Sequence, residues 1–281
     1  MKVMKYLSLF LAVALTVSCE KHVIEYDAVP IENMAEFQLH YMVPVTAVAA
    51  NNIIRVEFNG TMVANAKASL NTYNQIPSSA AKFYAVNPGN MNLKLYMTAK
   101  LDPKGDSLVY DQNVTLAKGK QNVIVHAFDK VPFVFDNGYP YGRRETVTTD
   151  SVTWVKFYNF LYETAGVPTT LKLQYQYIDY RTKALVNLGQ PVAFGETTGW
   201  QQVTVVKTDL VSSGTQRVDY RIKVIDDNGA VVGDLQIRNS AGKYVSYSDY
   251  WTGTIGRRVH HMLSGFRAAA PACAVRQFTA L

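Results

Sequence analysis

Residues 54–60, Ile54-Arg55-Val56-Glu57-Phe58-Asn59-Gly60, decide the fold class of this 281-residue chain. Apolar side chains at every second position turn one face of an extended strand toward a core, and the charged side chains between them face water. Asn59-Gly60 then matches the two-residue turn that joins antiparallel strands, because both residue types tolerate a positive φ. The stretch therefore predicts a β-strand that ends in a hairpin.

The same two-residue period recurs along the chain, and no stretch after the first eighteen residues keeps a helical period over three turns. The recurrences lie at residues 93–97, 171–177 and 220–224, and the apolar run within residues 122–128 predicts a more buried strand. An apolar content of 48% is enough for a globular core and excludes a disordered or fibrous protein. The chain is therefore predicted to be all-β.

The length of the chain indicates more than one sandwich. An immunoglobulin-like sandwich takes about 100 residues, and the chain after residue 18 is about two and a half times as long. An order of strand, aromatic turn, Gly turn and Gly-basic turn also occurs twice. We therefore predict two tandem antiparallel immunoglobulin-like β-sandwich domains. The predicted organisation is a signal peptide at 1–18, a tether at 19–35, domain 1 at 36–135, a linker at 136–150, domain 2 at 151–267 and a tail at 268–281.

Short motifs occur in both halves of the chain. They are Phe194-Gly195 with Trp200 and Val203 in the second half, and Asn59-Gly60, Pro88-Gly89 and Gly119-Lys120 in the first. These motifs resemble those of a bacterial domain of unknown function that occurs in tandem in secreted and lipid-anchored proteins, many of them from Bacteroidota. The resemblance covers roughly residues 37 to 267 and implies tandem β-sandwich domains at the cell envelope. It supplies no catalytic residues.

The N-terminus predicts export. Lys2 and Lys5 precede an apolar run at residues 6–17. As a helix this run spans about 18 Å, which is too short for the roughly 30 Å hydrocarbon core of a bilayer, so it is typical of a signal peptide. An ordinary secretory peptide followed by a chance cysteine is the alternative to the lipoprotein signal described next.

Residues 15–19, Leu15-Thr16-Val17-Ser18-Cys19, resemble a bacterial lipobox of the form seen in Bacteroidota. The resemblance implies that Cys19 becomes the acylated N-terminus of the mature protein, and two or three acyl chains such as palmitate hold a protein at a membrane. We expect a lipoprotein anchored to the outer membrane. Which face of that membrane carries it stays open, because Glu20-Lys21 is only partly similar to surface-export signals.

The net charge of +6 does not predict nucleic-acid binding. Removal of Lys2 and Lys5 with the signal peptide lowers it to +4, and the longest basic groups are the pairs Arg143-Arg144 and Arg257-Arg258. A nucleic-acid surface needs a continuous basic patch or stripe. We expect no nucleic-acid partner.

The five histidines predict neither an enzyme nor a metal site. There is no Gly-x-Ser-x-Gly motif beside any of them. His260 and His261 are adjacent on a predicted strand, so their side chains point to opposite faces and cannot share one metal. Residues 226–229, Asp226-Asp227-Asn228-Gly229, favour a hairpin turn over a calcium loop, because the alternating acids of such a loop are missing. We expect no catalytic residues, no metal and no cofactor.

Aromatic side chains are the candidates for ligand contact. Tyr247, Tyr250 and Trp251 crowd one stretch, and such rings stack on sugars or anchor protein interfaces. Packing in a sandwich core is the alternative for these three, and it is the expectation for Trp200. Tyr139 and Tyr141 in the linker are further candidates. Cys273 is expected to be a free thiol in an unordered tail.

The predicted function is a non-catalytic binding or structural module for a glycan or another envelope protein. Two alternatives remain open. One is a fimbrial or adhesin subunit, in which copies exchange a strand. The other is a hydrolase whose carboxylates, or Ser and His, meet only in three dimensions.

Overall fold

The computed structural model describes residues 31–78, 82–98, 106–136, 150–207, 210–211 and 214–280. Strands account for the regular structure of these residues, together with three short 3-10 turns at Ile31–Asn33, Ala49–Asn51 and Ala66–Ala68. The prediction of an all-β sandwich fold is confirmed. No helix in the described part of the chain is long and apolar enough to span a bilayer. The signal peptide, Cys19 and most of the tether lie outside the described residues.

The first half of the chain forms two sheets. A first outer sheet has the order β3-β2-β6-β7, and a first inner sheet has the order β4-β1-β8-β9, with β5 also paired to β1. The strands are β1 (Ala35–Tyr41), β2 (Arg55–Phe58), β3 (Thr61–Ala64), β4 (Gln75–Ile76), β5 (Tyr84–Val86), β6 (Gly89–Thr98), β7 (Asp106–Leu116), β8 (Gly119–Val125) and β9 (Phe133–Asp136).

The second half repeats this plan with longer strands. Its inner sheet has the order β11-β10-β20-β21 with β14 also paired to β10, and its outer sheet has the order β13-β12-β15-β16 with β19 also paired to β15. A small hairpin of β17 and β18 completes it. The strands are β10 (Asp150–Thr164), β11 (Val167–Pro168), β12 (Lys172–Ile178), β13 (Leu185–Asn187), β14 (Thr197–Val206), β15 (Thr215–Ile225), β16 (Val231–Asp234), β17 (Gln236–Arg238), β18 (Tyr244–Ser246), β19 (Ser248–Thr254), β20 (Arg258–Phe266) and β21 (Ala274–Thr279).

One strand pair in each half is parallel. The inner sheets pair β1 with β8 from Ala35 opposite Gly119, and β10 with β20 from Trp154 opposite Arg258. A parallel neighbour needs a long crossover, and here the whole outer sheet of each half forms that connection. The expectation of purely antiparallel sheets is therefore wrong at these two pairs, which occupy the same place in both halves.

The turns read from the sequence form as predicted. Asn59 and Gly60 have φ values of 47° and 77°, which fits the type I′ hairpin between β2 and β3. Asp226 closes the hairpin between β15 and β16, since its Oδ1 accepts the backbone N–H groups of Asn228 and Ala230 at 2.9 and 2.8 Å. The hairpin interpretation of residues 226–229 is confirmed.

Each half has its own core between its two sheets. Val56 and Phe58 of β2 face Phe37 and Leu39 of β1 in the first core. In the second core, the rings of Tyr175 and Tyr220 stack with centroids 4.7 Å apart. The alternating positions of the outer strands point into these cores, as their sequence period predicts.

A third apolar layer lies between the two inner sheets, so the four sheets form a stack. The central strands of the inner sheets, such as β1, β8 and β20, therefore bury both faces, and all nine residues of β20 are buried. The layer consists of Met42, Ile124, Tyr158, Phe160, Met262 and Phe278, with Phe133 and Phe135 packed against it.

The C-terminal segment corrects the expectation of an unordered tail at 268–281. Residues 274–279 form β21, which pairs with β20 from Ala274 opposite Ser264 to Thr279 opposite Val259. Val275 packs in the second core while Phe278 packs in the layer between the inner sheets. Because β21 buries one apolar residue on each face, Val275 and Phe278, its sequence lacks the period of two. Cys273 is only 3% exposed, so it is a core residue.

The predicted linker at 136–150 is bounded by strands, because β9 ends at Asp136 and β10 begins at Asp150. Residues 137–149, with Tyr139 and Tyr141, lie outside the described residues.

Candidate ligand-binding cleft

Four inner strands end at one cleft. β1 and β8 are parallel, as are β10 and β20. Across the layer, His40 lies beside His260, and Met42, two residues after His40, accepts a hydrogen bond from Ser264, four residues after His260. All four strands therefore run in the same direction. The loops that follow them diverge and leave a cleft of about 760 Å³.

The walls of the cleft are mainly apolar. The loop after β1 and the loop between β8 and β9 form one side, and the turn after β10 and the loop before β14 form the other. Four polar residues also line it: His126, Asp129, Lys130 and Tyr162. The apolar lining residues are Val43, Pro44, Val45, Ala127, Phe128, Val131, Phe133, Ala165, Gly166, Pro168, Phe194 and Phe266.

A hydrogen-bonded pair joins the two halves at the cleft. His126 Nδ1 lies 2.8 Å from the hydroxyl oxygen of Tyr162. Burial, the largest influence, lowers the pKa of His126, while its hydrogen bond to the Val131 backbone opposes this. Burial also raises the pKa of Tyr162 to about 12. Both groups are therefore neutral near pH 7, and the cleft presents no charge at this pair.

Aromatic rings surround the pair. The His126 ring stacks on Phe133 with centroids 4.5 Å apart, and Phe194 meets Tyr162 edge to face at 5.1 Å. Gly195 makes this arrangement possible. Its φ is +79°, and a Cβ atom there would lie 2.6 Å from Cζ of Phe133. The Phe194-Gly195 motif thus places one ring in the wall and lets another approach the backbone.

A buried lysine lies further along the same interface. Lys156 Nζ donates to the backbone carbonyl of Asp136 at 2.9 Å and lies 5.5 Å from the ring centre of Tyr158. Burial lowers its pKa to about 8, and the nearby charge of Asp136 opposes that shift. The ammonium holds β9 against β10.

The adjacent histidines point to opposite faces of β20, which confirms the prediction. His260 Nδ1 lies 2.9 Å from the Tyr158 hydroxyl in the layer between the inner sheets. His261 Nδ1 lies 3.0 Å from the Tyr175 hydroxyl in the second core. Within the described residues, no group of three His, Cys, Asp or Glu side chains is arranged to hold a metal ion.

Two of the three aromatic candidates for ligand contact, Tyr247 and Trp251, are buried, and the third, Tyr250, is exposed. Trp251 is 2% exposed and meets His261 edge-on in the second core. Tyr247 is 6% exposed, and its hydroxyl accepts the Val275 N–H at 2.9 Å. Trp251 lies at an inward position of β19, and core packing replaces the expected ligand contact for both residues. Tyr250 is 49% exposed, with the Arg217 guanidinium 4.0 Å from its ring centre.

Trp200 has the structural place expected of it, since its ring lies 4.9 Å from that of His260. The cleft itself was not predicted, because its rings come from segments far apart in the chain. Phe128 and Phe133 follow β8, whereas Phe194 precedes β14. The Phe194-Gly195 motif was the one sequence signal that pointed to it.

No protein-family model matches this chain, and no curated protein is significantly similar to it in sequence.

Proposed function

We propose that the chain is a non-catalytic binding protein of the outer membrane, anchored through acylated Cys19, whose ligand inserts an apolar group into the cleft. The observation that carries this proposal is the cleft, which combines half-buried rings with a few polar groups. Concave, mainly apolar pockets of this volume are the usual form of ligand sites.

The chemistry of the walls favours an aromatic or branched aliphatic group over a neutral sugar. Burying one such group contributes about 1.5–3 kcal/mol. A sugar ring would need several hydrogen-bonding partners, and the aromatic part of this wall offers only His126 and Tyr162, which already bind each other. An apolar side chain of another envelope protein is the occupant that fits best.

A non-catalytic role is supported by the environment of the histidines. His40, His260 and His261 are fully buried, and burial lowers the pKa of each. His126 is engaged with Tyr162.

The cleft is tested by titrating the full chain in detergent with indole, cyclohexanol and methyl glucoside, followed by NMR of the methyl groups of Val43, Val45 and Val131. We expect indole and cyclohexanol to shift these signals and methyl glucoside to leave them unchanged. Ala165→Trp, which fills the exposed mouth of the cleft, should abolish the shifts. Val232→Trp adds the same ring to an exposed strand and should not. Equal shifts with all three probes would overturn the proposal.

Anchoring is tested separately. Cys19→Ala should move the protein from the membrane fraction to the soluble fraction, and membrane retention equal to that of the unaltered chain would contradict the proposal. Protease treatment of intact cells then shows which face carries the protein.

A further inference from the structure

A second pocket lies along the side of the stack, away from the cleft. It occupies about 600 Å³ between β4 of the first half and β21 of the second. Its wall carries one cation, Arg276, and no carboxylate among the described residues. The remaining polar side chains that line it are neutral: Tyr73, Asn74, Gln75, Ser78, Gln277 and Thr279.

Arg276 is held in place by an aromatic ring and not by a carboxylate of the described residues. Its guanidinium carbon lies 4.1 Å from the ring centre of Tyr73, across the boundary between the halves. No carboxylate in the described part of the chain forms an ion pair with it. Arg217 makes a contact of the same kind with Tyr250, but its charge is paired with Asp219 at 2.7 Å. The pocket thus presents a positioned guanidinium that pairs with no carboxylate of the described residues.

Two further observations mark this pocket as a site. Gln75 is only 6% exposed, and its Oε1 accepts no hydrogen bond from the described residues, which leaves a buried acceptor unsatisfied at the pocket wall. Tyr73 has a φ of 55°, which is rare for a large side chain. Local strain of this kind persists where the surrounding structure enforces it, often beside a ligand. Here it brings the Tyr73 ring beneath the guanidinium.

We propose that this pocket binds an acidic sugar. The carboxylate accepts hydrogen bonds from the terminal nitrogens of Arg276, which suits the planar guanidinium. The sugar hydroxyls bond the neutral side chains, and one of them donates to Gln75 after a small rotation of its amide. A ring of neutral polar side chains around one cation fits a molecule with many hydroxyls and one negative charge. This inference does not depend on the ligand of the cleft.

The experiment is calorimetric titration of the full chain in detergent with a galacturonic acid trimer and with its methyl ester, which lacks only the charge. We expect the acid to bind about tenfold or more tightly than the ester, because a hydrogen bond to a charged group contributes about 1.5–3 kcal/mol. A short peptide with a free carboxyl terminus, and the same peptide as its amide, form the second arm.

Three variants locate the site. Arg276→Gln should weaken binding of the acid about tenfold. Ser78→Asp places a negative charge on an exposed residue of the pocket and should have a similar effect without disturbing the contact between Arg276 and Tyr73. Arg217→Gln is the matched control and should leave binding unchanged.

The proposal fails if neither sugar binds, if acid and ester bind equally, or if Ser78→Asp leaves binding of the acid unchanged. Binding of the peptide carboxylate without binding of the trimer would also overturn it and would assign the pocket to a protein terminus.

Discussion

At the scale of single residues, Gly195, His40 and His260 lie at the interface between the halves. Position 195 requires glycine for two reasons: its φ is positive, and the Phe133 ring lies where a Cβ atom would be. His40 and His260 are fully buried within one layer, with their ring centres 6.2 Å apart. Substitutions at Gly195 and at His40 therefore have specific expected effects.

Gly195→Ala should lower the free energy of unfolding by about 2–5 kcal/mol, because the left-handed φ costs about 1–2 kcal/mol and the methyl group displaces Phe133. Gly199→Ala is the control, since Gly199 has a φ of +67° but no atom within 4 Å of the added Cβ. Gly199→Ala should lower the free energy of unfolding only by the cost of the left-handed φ, about 1–2 kcal/mol. Urea denaturation measures both, and equal losses would show that Phe133 does not constrain Gly195.

Acidification should destabilise the fold through the buried histidines. Burial lowers the pKa of His40 to about 4, and the hydrogen bond to Asn122 opposes this. The unfolded chain therefore binds more protons than the folded one below pH 6.5, and stability falls as the pH is lowered from 6.5 through about 4. Phe278 of β21, the neutral imidazole of His260 and the ammonium of Lys156 face the same layer.

His40 alone should lower the free energy of unfolding by about 3 kcal/mol between pH 6.5 and about 4. His40→Gln should remove this part of the slope, measured as the difference between the two unfolding free energies at pH 7 and pH 4. A slope unchanged by the substitution would contradict the assignment.

At the scale of elements, the sequence predicts strands with one buried face and misses those with two. β2, β12 and β15 show the alternation that their half-buried position requires. β20 does not, because the layer between the inner sheets buries the face that would otherwise be polar. β21 does not either, because Val275 and Phe278 are buried on opposite faces of it. The parallel pairs and the cleft cannot be predicted from a local sequence period, because both depend on contacts between residues far apart in the chain. The burial of Tyr247 and Trp251 was also not predictable, because a cluster of aromatic residues looks the same in sequence whether it packs in a core or lies on a surface.

Cys273 tests the placement of β21. In a Cys19→Ser background it is the only thiol of the chain. Burial raises its pKa to about 12, and thiol reagents attack the thiolate. We expect labelling by a maleimide to be negligible in the native protein and fast in urea. As a control, a cysteine introduced at exposed Ala270 should react rapidly in the native protein. Rapid labelling of Cys273 in the native protein would contradict its burial and support the expectation of an unordered tail.

At the scale of the whole molecule, the layer between the inner sheets couples the halves. Phe160 and Phe157 are fully buried on opposite faces of β10, the first in that layer and the second in the second core. Replacing either with Ala should cost about 3–5 kcal/mol. Hydrogen exchange separates the two effects.

Phe160→Ala should speed amide exchange in β1 and β8 as well as in β10 and β20, because its cavity borders both halves. Phe157→Ala should speed exchange mainly in the second half. Exchange in β1 and β8 that responds equally to both changes would mean that the layer has no particular role in the coupling.

The common direction of the four inner strands gives the molecule a base and a tip. The chain enters β1 at Ala35, and the cleft opens just beyond the other end of that strand, about 25 Å away at about 3.4 Å per residue. Under the anchoring that we propose for Cys19, the base faces the membrane and the tip points outward, where an incoming macromolecule arrives first. The pocket between β4 and β21 lies on the flank instead, alongside any polysaccharide that runs parallel to the membrane. The two proposed sites would then meet their ligands from different directions and without competition.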